Sequence, residues 1–248
     1  MALLWSCCEK DILYQVRSAG SSIRLYTDGV LHSQFNPKQV LTGSIWDLLW
    51  LPLFFSPEPQ VERILVLGTG AGAVIRQLHI LFEPKQIVAI DNNPIHIKIA
   101  REYFGVEKEM ASLHLADATE FLPRYRGTRF DLIIDDLFVS GGNIARRAVP
   151  CGEAWLKQLV RQLRTDGILC INFADREEFQ LAPFFSLVGQ DHRFANAFEL
   201  SCPKIENIVL ALVSTATDAA SLRAHLQGTP VLSGMLARGA LTYRVRPI

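Results

Sequence analysis

The sequence predicts an α/β fold in which helices cover both faces of a mainly parallel sheet. Between residues 62 and 187, apolar strand patterns alternate regularly with helical patterns, as is typical of parallel sheets. The strand pattern at 62–67 ends in a glycine-rich turn, Gly68–Gly72, and a helical pattern begins at once. With 248 residues, 49% of them hydrophobic, the chain can bury a core of this kind.

The first part of the chain predicts a small antiparallel β-element. Short strands are expected at 11–17, 21–27 and 30–32, separated by glycine turns. So small a sheet is not stable alone, and we expect it to pack on the main body or on a partner subunit. A helix is predicted at 44–55, with its aromatic side chains in the core or in a subunit interface.

The main part continues to the end of the chain. Strands are predicted at 62–67, 86–91, 111–116, 130–135 and 167–173, and helices at 71–82, 94–104, 118–124, 153–164 and 176–187. Strands at 194–200 and 207–214 are separated by a short turn, which predicts an antiparallel hairpin at the sheet edge. The tail is predicted to hold a helix at 217–227 and a last strand at 240–246.

Composition limits the kinds of partner. Lys+Arg and Asp+Glu number 25 each, so nothing favours electrostatic capture of nucleic acid or of an anionic membrane. The longest apolar run, 48–55, is interrupted by Pro52 and is far shorter than the ~20 residues that cross a bilayer. The five cysteines form no CxxC pair and no metal-ligand spacing with the six histidines. We therefore expect a cytoplasmic protein without a metal, a nucleic-acid partner or a membrane partner.

Four strands of the main domain are followed by groups that can bind a ligand, and ligands bind at the carboxyl ends of strands in open α/β sheets. These groups are Gly68, Gly70 and Gly72 after the first strand, Asp91 and Asn92 after the second, Asp117 and Ala118 after the third, and Asp135 and Asp136 after the fourth. The glycines would bring a helix N-terminus close to a nucleotide-like ligand. Asp91 is suited to accept both ribose hydroxyls, whereas Asp117 and Asp136 have a helix N-cap or a turn as the alternative.

Two cofactor classes suit this arrangement. The segment from Gly68 to Ala73 matches a loose dinucleotide-binding pattern, but its third glycine falls at Gly72, one position early for NAD. The terminal hairpin and the position of Asp117 favour S-adenosylmethionine, and an NAD-dependent oxidoreductase is the less favoured alternative.

A set of motifs keeps a fixed order from about Ile12 to Val213. They are Asp28-Gly29-Val30, Leu51-Pro52-Leu53, Pro57-x-Pro59, the glycine turn, Asp91, Leu115-Ala116-Asp117-Ala118 with Phe121-Leu122, Phe130 to Asp135, and Leu163-x-x-x-Gly167. In these motifs the chain resembles the spermidine synthase-like group of class I methyltransferase-fold proteins. The resemblance implies a Rossmann-like methyltransferase fold of seven strands with a C-terminal antiparallel hairpin. It also implies an adenosyl ligand, with Asp91 on the ribose and Asp117 beside the adenine amino group, and a homodimer.

The chain departs from this family at positions that bear on activity. The family's GGGDG turn supplies an aspartate to the ammonium of decarboxylated S-adenosylmethionine, and Ala71 stands in its place. The family's DSxDP loop falls at 135–139: its first aspartate, which would deprotonate an attacking amine, is kept as Asp135, and its second is Phe138. Three further family positions, a Gln, a Tyr and a Glu, fall at His32, Ser44 and Trp46, although Asp47 could replace the Glu after a one-residue slip.

Methyl transfer meets a difficulty of its own. Many methyltransferases carry an acid two residues before the first glycine to hold the methionine amine, and this chain has Val66 there. The methionine carboxylate could be met by amides near Ala73 or by Arg76. A cleft with few carboxylates suits an apolar, aromatic or anionic acceptor better than a polyamine, whose charges need compensation.

We therefore expect a β-element and linker helix at 1–58 and an S-adenosylmethionine-binding domain at 59–248. The leading predicted activity is methylation of a small molecule, with Asp135 as the base or amine anchor. Candidate acceptor contacts are His32, Trp46, Asp136 and Phe138. The alternatives are an aminopropyltransferase that uses decarboxylated S-adenosylmethionine and a non-catalytic relative whose interface is the helix at 44–55.

Overall fold

The computed structural model describes residues 1–140, 145–184 and 193–248. The chain begins with a four-stranded antiparallel sheet in the order β1-β2-β3-β4. Its strands are β1 (Ala2–Glu9), β2 (Ile12–Ala19), β3 (Ser22–Thr27) and β4 (Val30–Phe35). The sequence predicted the last three strands but not β1, whose residues are almost all exposed, so it has no alternation of buried and exposed positions.

The predicted helix at 44–55 is divided into two. Helix α1 spans Ile45–Trp50, and a 3₁₀ turn spans Leu51–Phe55. Pro52 lies in the first turn of the second segment, where its missing N–H costs least. Every residue of both segments is buried, so their aromatic side chains belong to the core and the helix has no free face for the predicted interface.

The central sheet has eight strands in the order β14-β12-β13-β11-β8-β5-β6-β7. The parallel strands are β5 (Arg63–Leu67), β6 (Gln86–Asp91), β7 (Ser112–Leu115), β8 (Phe130–Asp135) and β11 (Leu163–Phe173). The antiparallel strands are β12 (Asn196–Ser201), β13 (Ile208–Val213) and β14 (Arg244–Pro247). The predicted α/β fold with seven strands and a closing hairpin is confirmed, and the tail strand β14 joins the sheet as its eighth.

Helices cover the two faces of this sheet. They are α2 (Ala73–Phe82), α3 (Pro94–Glu102), α4 (Ala118–Arg124), α5 (Glu153–Gln162), α6 (Arg176–Leu181), α7 (Ala219–Gly228) and α8 (Pro230–Ala237). The sequence did not predict α8, and the end of the predicted helix at 176–187 lies outside the described residues. A short hairpin of β9 (Phe138–Ser140) and β10 (Ala145–Arg147), also not predicted, follows β8.

Alternation along the strands divides the core. Ile64 and Val66 of β5 face the N-terminal sheet, α1 and α2, whereas Leu65 and Leu67 face α4 and α5. The first of these clusters also contains Leu25 of β3, so the N-terminal sheet and the main domain share a core. The division at residue 58 therefore stays a prediction.

The strand order places a crevice at one point of the sheet. The chain proceeds outward from β5 through β6 to β7, and then returns to form β8 on the other side of β5. Loops that follow β5 and β8 therefore lead in opposite directions, and the gap between them is where doubly wound sheets bind ligands.

Candidate functional site

A cavity of about 100 Å³ lies in this crevice. Its lining comes from the N-terminal sheet, from α1 and from the carboxyl ends of the central strands. The lining residues are Leu31, His32, Ile45, Trp46, Gly68, Gly70, Asp91, His96, Asp136, Phe138, Ala145, Asn172 and Asn207.

Two glycines of the turn after β5 let neighbouring backbones approach it closely. Gly68 has a φ of +88°, and a Cβ there would lie 2.0 Å from the carbonyl oxygen of Asp136. Gly70 has a φ of +51°, and its Cβ would lie 2.9 Å from the carbonyl oxygen of His32 on β4. The third predicted glycine, Gly72, is the N-cap of α2 and is not part of the cavity lining. The turn thus brings the loop after β8 and the N-terminal sheet together around the cavity.

Asp91 is buried at the end of β6, and its carboxylate faces the glycine turn. Its Oδ2 accepts the N–H of Gly70 at 3.0 Å, and its Oδ1 accepts the N–H of Asn93 at 2.8 Å. The Nδ1 atom of His96, a buried side chain of α3, lies 3.4 Å from the same Oδ2. Asn93 is the N-cap of α3, and the neighbouring Asn92, predicted as a cofactor contact, is exposed and outside the lining.

The predicted adenine contacts lie farther along the strand ends. Asp117 is exposed and caps α4, and its Oδ1 accepts the N–H of Thr119 at 2.7 Å. Hydrogen bonds from the hydroxyl and the N–H of Thr119 hold the pKa of Asp117 below its usual range. Ala118 is buried in the core beneath the sheet. Asp117 has the N-cap role that the sequence left open, and neither residue lines the cavity.

Asp135, the predicted base, is fully buried on the other side of the sheet. Its Oδ2 accepts two hydrogen bonds of 2.7 Å, from Nη2 of Arg147 and from Nε1 of Trp155 on α5. Its Oδ1 has no hydrogen-bond partner within the described residues. Although burial acts against the guanidinium, the Asp135 carboxylate raises the pKa of Arg147. Asp135 does not line the cavity, because the alternation of β8 points it toward α5.

The carboxyl group that reaches the cavity is that of the next residue, Asp136. Its Oδ1 accepts a hydrogen bond of 2.7 Å from Nδ2 of Asn172 at the end of β11. Nδ2 of Asn207 lies 3.2 Å from the Oδ1 of Asn172, which fixes the orientation of the Asn172 amide. Burial raises the pKa of Asp136 to about 7, against the effect of the Asn172 hydrogen bond, and the nearby Asp135 carboxylate raises it further. Asp136 therefore gains or loses its proton near neutral pH.

The cavity is poor in positive charge. Burial, together with the neighbouring His96, lowers the pKa of His32 to about 4, so that His32 is neutral at pH 7. Among the described lining residues there is no lysine or arginine. Arg76, a predicted carboxylate contact, instead donates to the carbonyl oxygen of Phe104 at 2.6 Å. The amide of Ala73, the other predicted contact, lies 3.3 Å from the hydroxyl oxygen of Ser33 on β4.

Part of the cavity wall is apolar. Trp46 and Ile45 of α1 form one side of it, and Phe138 and Ala145 of the β9–β10 hairpin form another. Arg147 fastens this hairpin to the sheet, since it donates to the carbonyl oxygen of Asn172 at 2.6 Å as well as to Asp135. All four predicted acceptor contacts, His32, Trp46, Asp136 and Phe138, lie in the cavity lining.

Sequence reasoning missed three polar residues of the site, His96, Asn172 and Asn207. Asn172 could have been predicted in the same way as the other strand-end residues, because it lies near the carboxyl end of the fifth parallel strand. Asn207 precedes β13 in the hairpin turn, where polar residues are common. His96 faces the core in the first turn of α3, and its spacing alone does not distinguish a structural histidine from one that contacts the site.

Three further searches cover the part of the chain that the structure describes. No cluster of three or more His, Cys, Asp and Glu residues in this part is arranged to hold a metal ion. None of its helices has both the length and the apolar character needed to cross a membrane. All five cysteines, which are described, are free, and three of them are buried.

Comparison with known proteins places the chain among proteins of similar sequence and fold. A family model described as a methyltransferase domain matches residues 60–222. A polyamine aminopropyltransferase of Vibrio vulnificus is 26% identical over 148 residues, which are 57% of this chain and 48% of the relative. A spermidine synthase of Dictyostelium discoideum is 27% identical over 168 residues, 64% of this chain and 54% of the relative. The chain thus spans about half the length of these curated relatives.

A solved structure extends the likeness to nearly the whole chain. The crystal structure of a probable spermidine synthase from Corynebacterium glutamicum superposes with a TM-score of 0.70 at 17% identity, covering 97% of this chain and 94% of the other. At this identity the superposition establishes the fold and nothing finer. The chain belongs to the methyltransferase domain family, is similar in sequence to spermidine synthases and has their fold.

Proposed function

We propose that this protein transfers an aminopropyl group from decarboxylated S-adenosylmethionine to a small-molecule amine. The observation that carries the proposal is the charge of the cavity. Its described lining has two carboxylates, Asp91 and Asp136, and no lysine or arginine. The tail of S-adenosylmethionine carries a carboxylate, which would be desolvated here without a cationic partner, whereas the decarboxylated tail has no carboxylate to desolvate. The aminopropyltransferase and spermidine synthase names of the relatives support this choice. Aminopropyl transfer therefore replaces methyl transfer as the leading proposed activity.

The donor would be held by the turn after β5 and by Asp91. The small residues at Gly68 and Gly70 let a ligand approach the backbone, as they already let two protein segments approach it. Asp91 accepts two backbone N–H groups. An ionised carboxylate has about four acceptor positions, so some remain for ribose hydroxyls. Asp117 and Ala118 stay candidates for the adenine end, beyond the cavity.

Asp136 takes the role of base that the sequence assigned to Asp135. When bound, the donor supplies a carbon next to a sulfonium, which an amine can attack. Because an amine arrives mostly as an ammonium ion, it must give up a proton, and Asp136 is the cavity carboxylate with a pKa of about 7. In the balanced reaction one C–N bond forms, the C–S bond breaks, methylthioadenosine leaves, and the proton passes to Asp136.

Methyl transfer from S-adenosylmethionine is the second candidate. Ala71 is fully buried in the glycine turn, at the position where the family resemblance implies an acid for the aminopropyl ammonium. The turn therefore offers no carboxylate to that ammonium, and the family model that matches is that of a methyltransferase domain.

Ligand-induced thermal stabilisation separates the two candidates. Decarboxylated S-adenosylmethionine, S-adenosylmethionine, methylthioadenosine and NAD are compared at equal concentration. A ligand at 100 times its dissociation constant adds about 2.7 kcal/mol to the free energy of unfolding. We expect the decarboxylated form to stabilise most and Asp91→Ala to abolish its effect. Stronger stabilisation by S-adenosylmethionine would select methyl transfer, and none by any adenosyl compound would reject both candidates.

A further inference from the structure

We infer that the acceptor is a primary monoamine with an apolar body, rather than a diamine or polyamine. The inference rests on the proposed group transfer, and it deepens it by naming the class of acceptor. It follows from the number of carboxylates that face the cavity, from the protonation of His32 and from the apolar wall.

Only one carboxylate of the described lining is placed to meet an acceptor. Asp136 faces the cavity from the loop after β8 and has one side-chain partner, the amide of Asn172. Asp91 is directed toward the glycine turn, where it accepts the N–H groups of Gly70 and Asn93. The first ammonium of an acceptor can therefore pair with Asp136, but a second one has no carboxylate of its own among the described lining residues.

The acid closest in sequence to the apolar wall does not alter this count. Asp47 follows Trp46, but its carboxylate accepts N–H groups of Thr42 and Gly43 and the side-chain amide of Gln77. It does not line the cavity. The residues at 141–144, which lie outside the described residues, read Gly-Gly-Asn-Ile and contain no acid.

The remaining polar groups do not compensate for a second positive charge. His32 is neutral at pH 7, because burial lowers its pKa to about 4, and it brings no negative charge. The amide oxygen of Asn172 is already paired with Asn207. Removing an ammonium from water without a counter-charge costs several kcal/mol, so a diamine is penalised at its far end.

An alkyl or aryl body, by contrast, meets a suitable surface. Trp46 is only 5% exposed and, with Ile45 and Phe138, presents carbon atoms to the cavity. Each methylene buried there strengthens binding by about fourfold. The family resemblance implies an acid at the position of Phe138, so this one residue marks the change of acceptor class.

The test uses n-pentylamine and putrescine, which have the same number of heavy atoms and differ by a methyl group in place of the second ammonium. Their dissociation constants are measured by calorimetry at pH 8, with and without methylthioadenosine. We expect n-pentylamine to bind at least ~10-fold more tightly than putrescine. Equal or tighter binding of putrescine, or binding of neither amine, would overturn the inference.

Two variants at one position sharpen the result. Phe138→Asp supplies the missing carboxylate and should improve putrescine binding by ~10-fold or more, whereas the matched control Phe138→Leu should keep the preference for n-pentylamine. An unchanged preference in Phe138→Asp would count against the inference. Turnover with decarboxylated S-adenosylmethionine is recorded separately. Tight n-pentylamine binding without turnover would refute the aminopropyl transfer while supporting the monoamine site.

Discussion

Asp135 and Asp136 are neighbours in the chain, yet they lie in very different surroundings. Asp135 is enclosed beneath α5 and paired with Arg147, whereas Asp136 faces the cavity and is paired only with a neutral amide. The Asp135 carboxylate accepts two hydrogen bonds of 2.7 Å, one of them from a guanidinium, as is typical of a buried ion pair. Asp136 has no ion-pair partner among the described residues, and burial raises its pKa to about 7, the range that suits proton transfer near neutral pH.

The geometry of one strand produces this difference. Side chains of β8 alternate between the two faces of the sheet, so Asp135 follows the direction of Ile133, toward α5. Asp136 follows the direction of Ile134, toward the face on which α1 packs.

The largest expected effect is the loss of activity in Asp136→Asn. The amide keeps the shape of the carboxylate but cannot take the acceptor's proton, so turnover should fall by roughly 10²- to 10⁴-fold. Stabilisation by the adenosyl ligand should be retained, because Asp91 is unchanged. Activity within a factor of three of the unmodified protein would mean that Asp136 is not the base.

Asp135→Ala should act on stability. It removes the 2.7 Å partner of the Arg147 side chain, which is 1% exposed, and leaves Glu178, 3.6 Å away, as the counter-charge, which costs about 3 kcal/mol of the free energy of unfolding. Urea denaturation measures this loss. The control Trp155→Phe removes the second hydrogen bond to Asp135 together with part of the packing of a buried indole, and should cost about 2 kcal/mol. If Asp135→Ala were as stable as the unmodified protein, the ion pair would not fasten the hairpin.

Asp136→Asn should also increase stability, in a pH-dependent way. The folded pKa of about 7 is above the unfolded value of 3.8, so ionisation favours unfolding as the pH rises through this interval. The variant lacks this penalty. Its gain should be absent below pH 4 and reach roughly 2–4 kcal/mol above pH 7. Thermal melts from pH 4 to pH 8 measure it, and a gain of equal size at both ends would exclude the assigned pKa.

Much of the fold could be predicted because its strands are apolar and its turns are rich in glycine. The central strands and their mainly parallel pairing follow from the alternation of strands and helices between β5 and β11, whereas their order in the sheet was not predicted. The prediction missed β1 and the β9–β10 hairpin. Strand β1 is mostly exposed, and the strands of the hairpin are only three residues long. Neither has a hydrophobic period to detect.

The candidate site was predicted in outline, but the aspartate that lines the cavity is Asp136 rather than the predicted Asp135. The strand-end rule found Gly68, Gly70, Asp91 and the pair of aspartates after β8. Which of the two aspartates lines the cavity depends on the face of the sheet toward which each side chain points. Their positions in the sequence alone do not determine that face. The partner of Asp135 lies 12 positions away in a hairpin that was not predicted.

The smallest effect is expected from Asn172→Ala. The amide donates to Oδ1 of Asp136 and so favours the ionised carboxylate; without it the pKa of Asp136 should rise by about one unit. Because the base must be ionised, the rising limb of kcat/KM against pH should move about one pH unit higher, with little change in its plateau.

Two further variants test the same hydrogen bond. Asn207→Ala only loosens the orientation of Asn172 and should move the rising limb less. Asn172→Asp places a second carboxylate beside the first and should move it further. A uniform loss of kcat/KM at every pH would instead assign Asn172 a purely structural role. Its hydrogen bond would then have no effect on the pKa of Asp136.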